Sequence, residues 1–115
     1  ELATRTGSRK NLVKAWRLAG DIARAERNWD VAEGHYRKSR DFAVTLGNPV
    51  QQWKTELALG QFLQSANRPD DAHHAFERAL AVIQRVREGL RDDRLRSALE
   101  KNPDLRLIQS LVARV

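Results

Sequence analysis

Apolar residues along the chain return at three- and four-residue spacing, the period of one face of an α-helix. The first such stripe is Leu12, Val13, Trp16, Ala19, Gly20 and Ala23, and it predicts a helix from an N-cap at Ser8 to about Arg27. A second helix, 31–46, carries Ala32, Tyr36, Ser39, Ala43 and Leu46. Asp30 is its expected cap, Glu33 completes a capping box, and Gly47 ends it. A third, 50–66, presents Trp53, Leu57, Leu59, Gly60 and Leu63 behind Pro49, which suits a first helical turn. A fourth, 71–88, follows the cap Asp70 and carries Ala72, Ala75, Phe76, Ala79, Leu80 and Ile83. The tail reads as a helix over 91–101 with Leu95, Ala98 and Leu99 inward. A last helix opens at Asn102-Pro103 and carries Leu105, Leu107, Ile108, Leu111 and Val112.

These stripes repeat. An offset of 40 residues carries Lys14 onto Lys54, Gly20 onto Gly60, Asp30 onto Asp70, Ala32 onto Ala72 and Tyr36 onto Phe76. The same offset takes Ala3 onto Ala43 and Gly7 onto Gly47, so residues 1–7 read as the end of a preceding helix, stopped at Gly7. On that reading the chain starts inside a repeat of a longer protein. Self-similarity at a fixed period of this size marks a stacked helical repeat, in which each unit buries its apolar face on its neighbour. The units are 8–47 and 48–88, with 89–115 as a C-terminal helical cap that breaks the pattern and covers the open face of the last unit.

The residues at the crossings carry a resemblance. Trp16-x-x-Ala19-Gly20 with Ala32-x-x-x-Tyr36, and Glu56-x-x-Leu59-Gly60 with Ala72-x-x-x-Phe76, resemble the tetratricopeptide repeat. That motif sets small residues where two helices cross and an aromatic in the groove beside them. The period is longer than that family's usual value of about 34 residues, the proline customary after the second helix is missing, and Ala23 and Leu63 stand where an aromatic is usual. The long period, the wording Leu57-Ala58-Leu59-Gly60 and the tail from Leu99 to Leu111 look like the C-terminal arrays of bacterial signalling proteins. Those include transcriptional activators with an NTPase module and cyclases. The resemblance implies an all-α, right-handed solenoid of antiparallel helix pairs. It also implies a protein–protein interaction or relay module, with the first helix of each pair lining a concave face.

Composition fits a helical protein of one domain: 115 residues, 41% hydrophobic and 31% charged. With no cysteine there is neither a disulfide nor a thiolate metal site, and a cytoplasmic protein without cofactor is the expectation. No run is apolar enough to span a membrane. Net charge is +6, and the excess gathers in residues 1–20, where Arg5, Arg9, Lys10, Lys14 and Arg17 face Glu1 alone. Such a run is ordinarily a solvated helix surface; otherwise it attracts an acidic peptide or a nucleic-acid backbone.

On the implied concave face the candidate partner-binding residues are Lys14, Arg17, Asp21 and Arg24 from the first helix, and Lys54, Leu57, Gln61 and Gln64 from the third. Cations and amides in that arrangement favour an acidic protein or peptide; ordinary solvated residues, some paired as Arg17–Asp21, are the plainer alternative. Nucleic acid is an alternative reading but not the expected partner, because the concave face lacks the basic and aromatic interleaving that single strands favour; self-association through repeat ends, giving a homodimer, is a further alternative. Trp16 and Trp53 fall on buried stripes, whereas Trp29, in a turn, is placed to pack on a neighbouring repeat or a partner. His35, His73 and His74 lack chelating spacing, since adjacent helical residues point about 100° apart. The pairs Asp70-Asp71 and Asp92-Asp93 read as helix-start carboxylates. No catalytic constellation is found, and no enzymatic activity is expected.

Overall fold

Six α-helices follow one another: α1 (Thr6–Ala25), α2 (Trp29–Leu46), α3 (Pro49–Ser65), α4 (Pro69–Gly89), α5 (Asp93–Glu100) and α6 (Pro103–Val112). The computed structural model of the chain describes residues 6–113. Helices α1 and α2 pair along their length, as do α3 and α4; α2 then packs on α3, and α4 on α6. The Cα extents of 43 × 42 × 18 Å make this a slab about two helices thick. The fold is thus all-α and repeat-like.

The crossings are built as the sequence pattern predicts. A Cβ at Gly20 would stand 2.8 Å from the Tyr36 ring, and one at Gly60 would stand 2.4 Å from the Phe76 ring. Each aromatic therefore lies flat on the backbone of the partner helix, where only glycine leaves room. The turns repeat too. Arg27 and Asn67, 40 residues apart, both take the left-handed conformation at φ 62°. The amides that follow them, of Asn28 and Arg68, reach back to the carbonyls of Ala23 and Leu63, both at 2.9 Å. The same backbone turn thus closes α1 and α3, with an arginine in one copy at a position that favours asparagine or glycine.

The cap reuses the same opening. Asn48-Pro49 starts α3 with the Asn48 side chain accepting from the Gln51 amide, and Asn102-Pro103 starts α6 with Asn102 accepting from Asp104 and Leu105. Helix α6 lies on α4 as α3 lies on α2, and Leu105, Ile108 and Leu111 join the core. It reaches α3 through the Trp53 indole, which donates to Asp104 at 3.3 Å.

Several boundaries and faces differ from the sequence reading. Helix α1 runs through Gly7 and Ser8, so neither stops nor caps a helix there; the remainder of the expected helix end, 1–5, lies outside the described residues. Asp30 and Asp70 sit inside the first turns of α2 and α4, whose N-caps are Asn28 and Arg68. Glu33 forms no capping box: it accepts from Arg37 at 2.6 Å and from Arg68, in the next turn, at 2.8 Å. In the short α5 only Leu99 is buried; Leu95 and Ala98 are exposed, and so is Leu107 in α6. Trp16 is half-buried rather than core, flanked by His35 at 5.2 Å with the Lys38 ammonium 4.5 Å over its ring.

Candidate functional site

The eight residues expected to face a partner come from α1 and α3, which lie side by side, but the packing divides them. Leu57 is a correction: it is buried in the core that α6 completes. Lys54 is drawn to the same helix, pairing with Asp104 at 3.3 Å. Asp104 of α6 thus holds both Lys54 and the Trp53 indole of α3.

On α1, Arg17 turns toward α3 and donates to Gln51 Oε1 and Thr55 Oγ1, both at 3.1 Å. Partial burial pulls its pKa below the ordinary arginine value, and the charges of Asp21 and Asp104 offset part of that. The buried Ser39 hydroxyl, donating to the Val13 carbonyl at 2.8 Å, lies 3.3 Å from Thr55 and extends this polar strip into α2. Arg17 therefore joins the first hairpin to the second. The expected Arg17–Asp21 pair is replaced by separate partners. Asp21 accepts from the Tyr36 phenol at 2.5 Å, and the Tyr36 pKa is pushed up, by burial first and then by this hydrogen bond and the carboxylate charge.

Arg24 reaches across to Ser65 at 2.6 Å, at the rim of a cleft of about 620 Å³ lined by Asp21, Arg24, Ala25, Arg27, Trp29 and Ser65. Trp29 is 39% exposed and rests on Phe62 with ring centroids 5.9 Å apart. The inner edge of its ring thus seals the junction between hairpins while its outer edge remains in the cleft. This open site combines two guanidinium groups, one carboxylate and an indole. Lys14, about two turns before Asp21 on α1, is exposed.

A second cleft lies beside the α3–α4 turn and shares two lining positions with the first. Gln64 stands at the offset of Arg24, Pro69 at that of Trp29 and Asp70 at that of Asp30. With His73, His74 and Leu111 they line a space of about 490 Å³. Gln64 is exposed there, and Gln61 is partly buried. Of the predicted set, then, Asp21 and Arg24 meet in the first cleft and Gln64 in the second. Sequence reasoning missed Arg27 and Ser65; the available signal was their position beside turns that repeat at 40 residues.

Two more pairs show how the copies diverge. Glu56, at the offset of Trp16, is 6% exposed and accepts from Arg78 at 3.1 Å, while its other carboxylate oxygen is buried without a partner. Arg78 in turn occupies the offset of Lys38. His73 approaches Glu77 at 3.5 Å, where the first copy has Glu33 and Arg37. Among the described residues no three His, Cys, Asp or Glu side chains gather as a metal site would require, and no helix is long and apolar enough to cross a membrane. Comparisons with protein-family models, with curated proteins and with solved structures find no match.

Proposed function

We propose that this chain is a protein-interaction module of tetratricopeptide type, a right-handed α-solenoid whose inter-hairpin junctions receive a protein or peptide. The observation carrying this reading is the duplication of one crossing and one turn, Gly20 on Tyr36 with Arg27, and Gly60 on Phe76 with Asn67, with a cleft beside each turn. The helices frame those clefts without needing to refold, so little ordering entropy opposes binding there. Arg24, Arg27 and Trp29 favour an acidic segment with an apolar residue beside its carboxylates: guanidinium groups take the carboxylates and the indole takes the side chain. The role is binding or relay within a bacterial signalling or regulatory protein of the cytoplasm, without cofactor or catalysis.

The test is fluorescence anisotropy with a fluorescein-labelled peptide of alternating Glu and Leu. Saturable binding is expected, weakened about tenfold by Arg24→Glu, since charge-assisted hydrogen bonds of this kind are worth about 1.5–3 kcal/mol. Failure to bind, or tighter binding of a random-sequence DNA duplex with a steep loss of affinity in salt, would contradict the reading.

A further inference from the structure

The outer face of α1 carries Asn11, Ala15, Leu18, Ile22 and Ala25, all exposed, with Leu18 at 58% and Ile22 at 52%. Their spacing, four then three repeated, is that of a seam between two helices. Elsewhere in the molecule the same face is covered. At the 40-residue offset lie Gln51, Thr55, Ala58, Phe62 and Ser65 of α3. Gln51, Thr55 and Phe62 are at most 3% exposed and meet Arg17 or Tyr36 of the first hairpin; Ala58 packs on the core, and Ser65, itself exposed, is held by Arg24. The face of α1 is therefore of a kind that this architecture closes with a helix.

We propose that the α1 seam is the interface of a two-fold dimer, closed by α1 of a second copy running antiparallel. The charge pattern selects this occupant. Lys14 and Asp21 flank the same edge of the seam, and both are exposed. An antiparallel mate that sets Ala15 against the partner's Leu18 also brings Lys14 beside the partner's Asp21, and the two-fold axis repeats that contact. Asp21 keeps its bond to Tyr36 through one oxygen, leaving the other for the lysine. The seam is apolar at its centre with opposite charges matched at its margin, the arrangement that fixes register between helices. This inference does not depend on peptide binding at the Arg24 cleft.

Analytical ultracentrifugation from low to high micromolar concentration tests it. The weight-average mass is expected to rise from 13.2 kDa toward twice that value. Leu18→Asp or Ile22→Asp should each raise the dissociation constant about tenfold or more, as loss of a central apolar anchor does. Val44→Asp, at a side chain 61% exposed on α2, should leave it unchanged. Lys14→Asp and Asp21→Lys should each weaken the dimer, and mixing the two variants should restore it, because each unlike pair then meets across both contacts. Thermal melts of each variant separate loss of pairing from loss of folding. A mass fixed at that of the monomer, a Leu18→Asp dimer of undiminished affinity, or no recovery on mixing would overturn the proposal.

Discussion

The two hairpins share a backbone design and differ in what surrounds it. In the first, the aromatic at the crossing is Tyr36, whose hydroxyl reaches Asp21; in the second it is Phe76, and Gln61 stands where Asp21 would. At the outer position the first hairpin places Trp16 under Lys38, and the second places Glu56 under Arg78. Among the described residues the first hairpin has a neighbour on one side, and the second lies between the first and α6. The Tyr36 ring is as buried as that of Phe76, but its hydroxyl reaches the exposed Asp21 carboxylate, whereas the second copy has no carboxylate at that place and fills the groove with a plain ring. The Arg24 cleft, with its two guanidinium groups, lies at the first hairpin beside Ser65.

Substitutions can push each copy toward the other. The largest effect is expected at the crossings. Gly60→Ala presses a Cβ deeper into the Phe76 ring and should cost about 3 kcal/mol; Gly20→Ala, whose Cβ would stand 2.8 Å from the Tyr36 ring, should cost about 1–2 kcal/mol. Urea denaturation of both variants checks the order, and equal costs would contradict it. Glu56→Met is next. It removes a buried carboxylate with one unsatisfied oxygen and leaves Arg78, 45% exposed, free to hydrate, so a gain of about 1 kcal/mol is expected in the same assay.

Tyr36→Phe makes the first copy resemble the second and should cost about 1 kcal/mol, the value of a single partly exposed hydrogen bond. The smallest effect concerns pH. Burial raises the Glu33 pKa, but the hydrogen bonds and charges of Arg68 and Arg37 outweigh that and hold it below 4.5. Because the folded value is depressed, this contribution is present above the unfolded pKa and fades as pH falls through the folded one. Glu33→Gln should therefore lower stability by about 0.5–1 kcal/mol near neutrality and by progressively less in acid, read from melts across pH 3 to 7.

The crossings were legible in the sequence because a small residue facing an aromatic is a local signature, and Gly20, Tyr36, Gly60 and Phe76 display it twice. The end of α2 was equally plain, since Gly47 takes the left-handed conformation, φ 72°, that glycine advertises. Arg27 gave no such sign. A long cation is not a usual left-handed residue, and only its alignment with Asn67 betrays the turn. The fates of Leu57 and Lys54 depend on where α6 docks, a non-local fact that helix periodicity does not encode. Leu95 and Ala98 were misread because an eight-residue helix held at Leu99 alone need not turn its apolar side inward. For the cleft, charge type at Arg24 and Asp21 was readable, but its separation from Arg17 required knowing that Arg17 reaches Gln51 and Thr55.

The most direct test is a ¹H–¹⁵N NMR titration with the Glu-Leu peptide, followed at the backbone amides and the three indole N–H signals. The interaction-module account predicts that the Trp29 indole and the amides around Arg24, Arg27 and Ser65 shift together and saturate, while the Trp53 indole, held by Asp104, stays in place. Shifts confined to the arginine-rich segment 85–106, or spread evenly over exposed cations with no saturation, would contradict it.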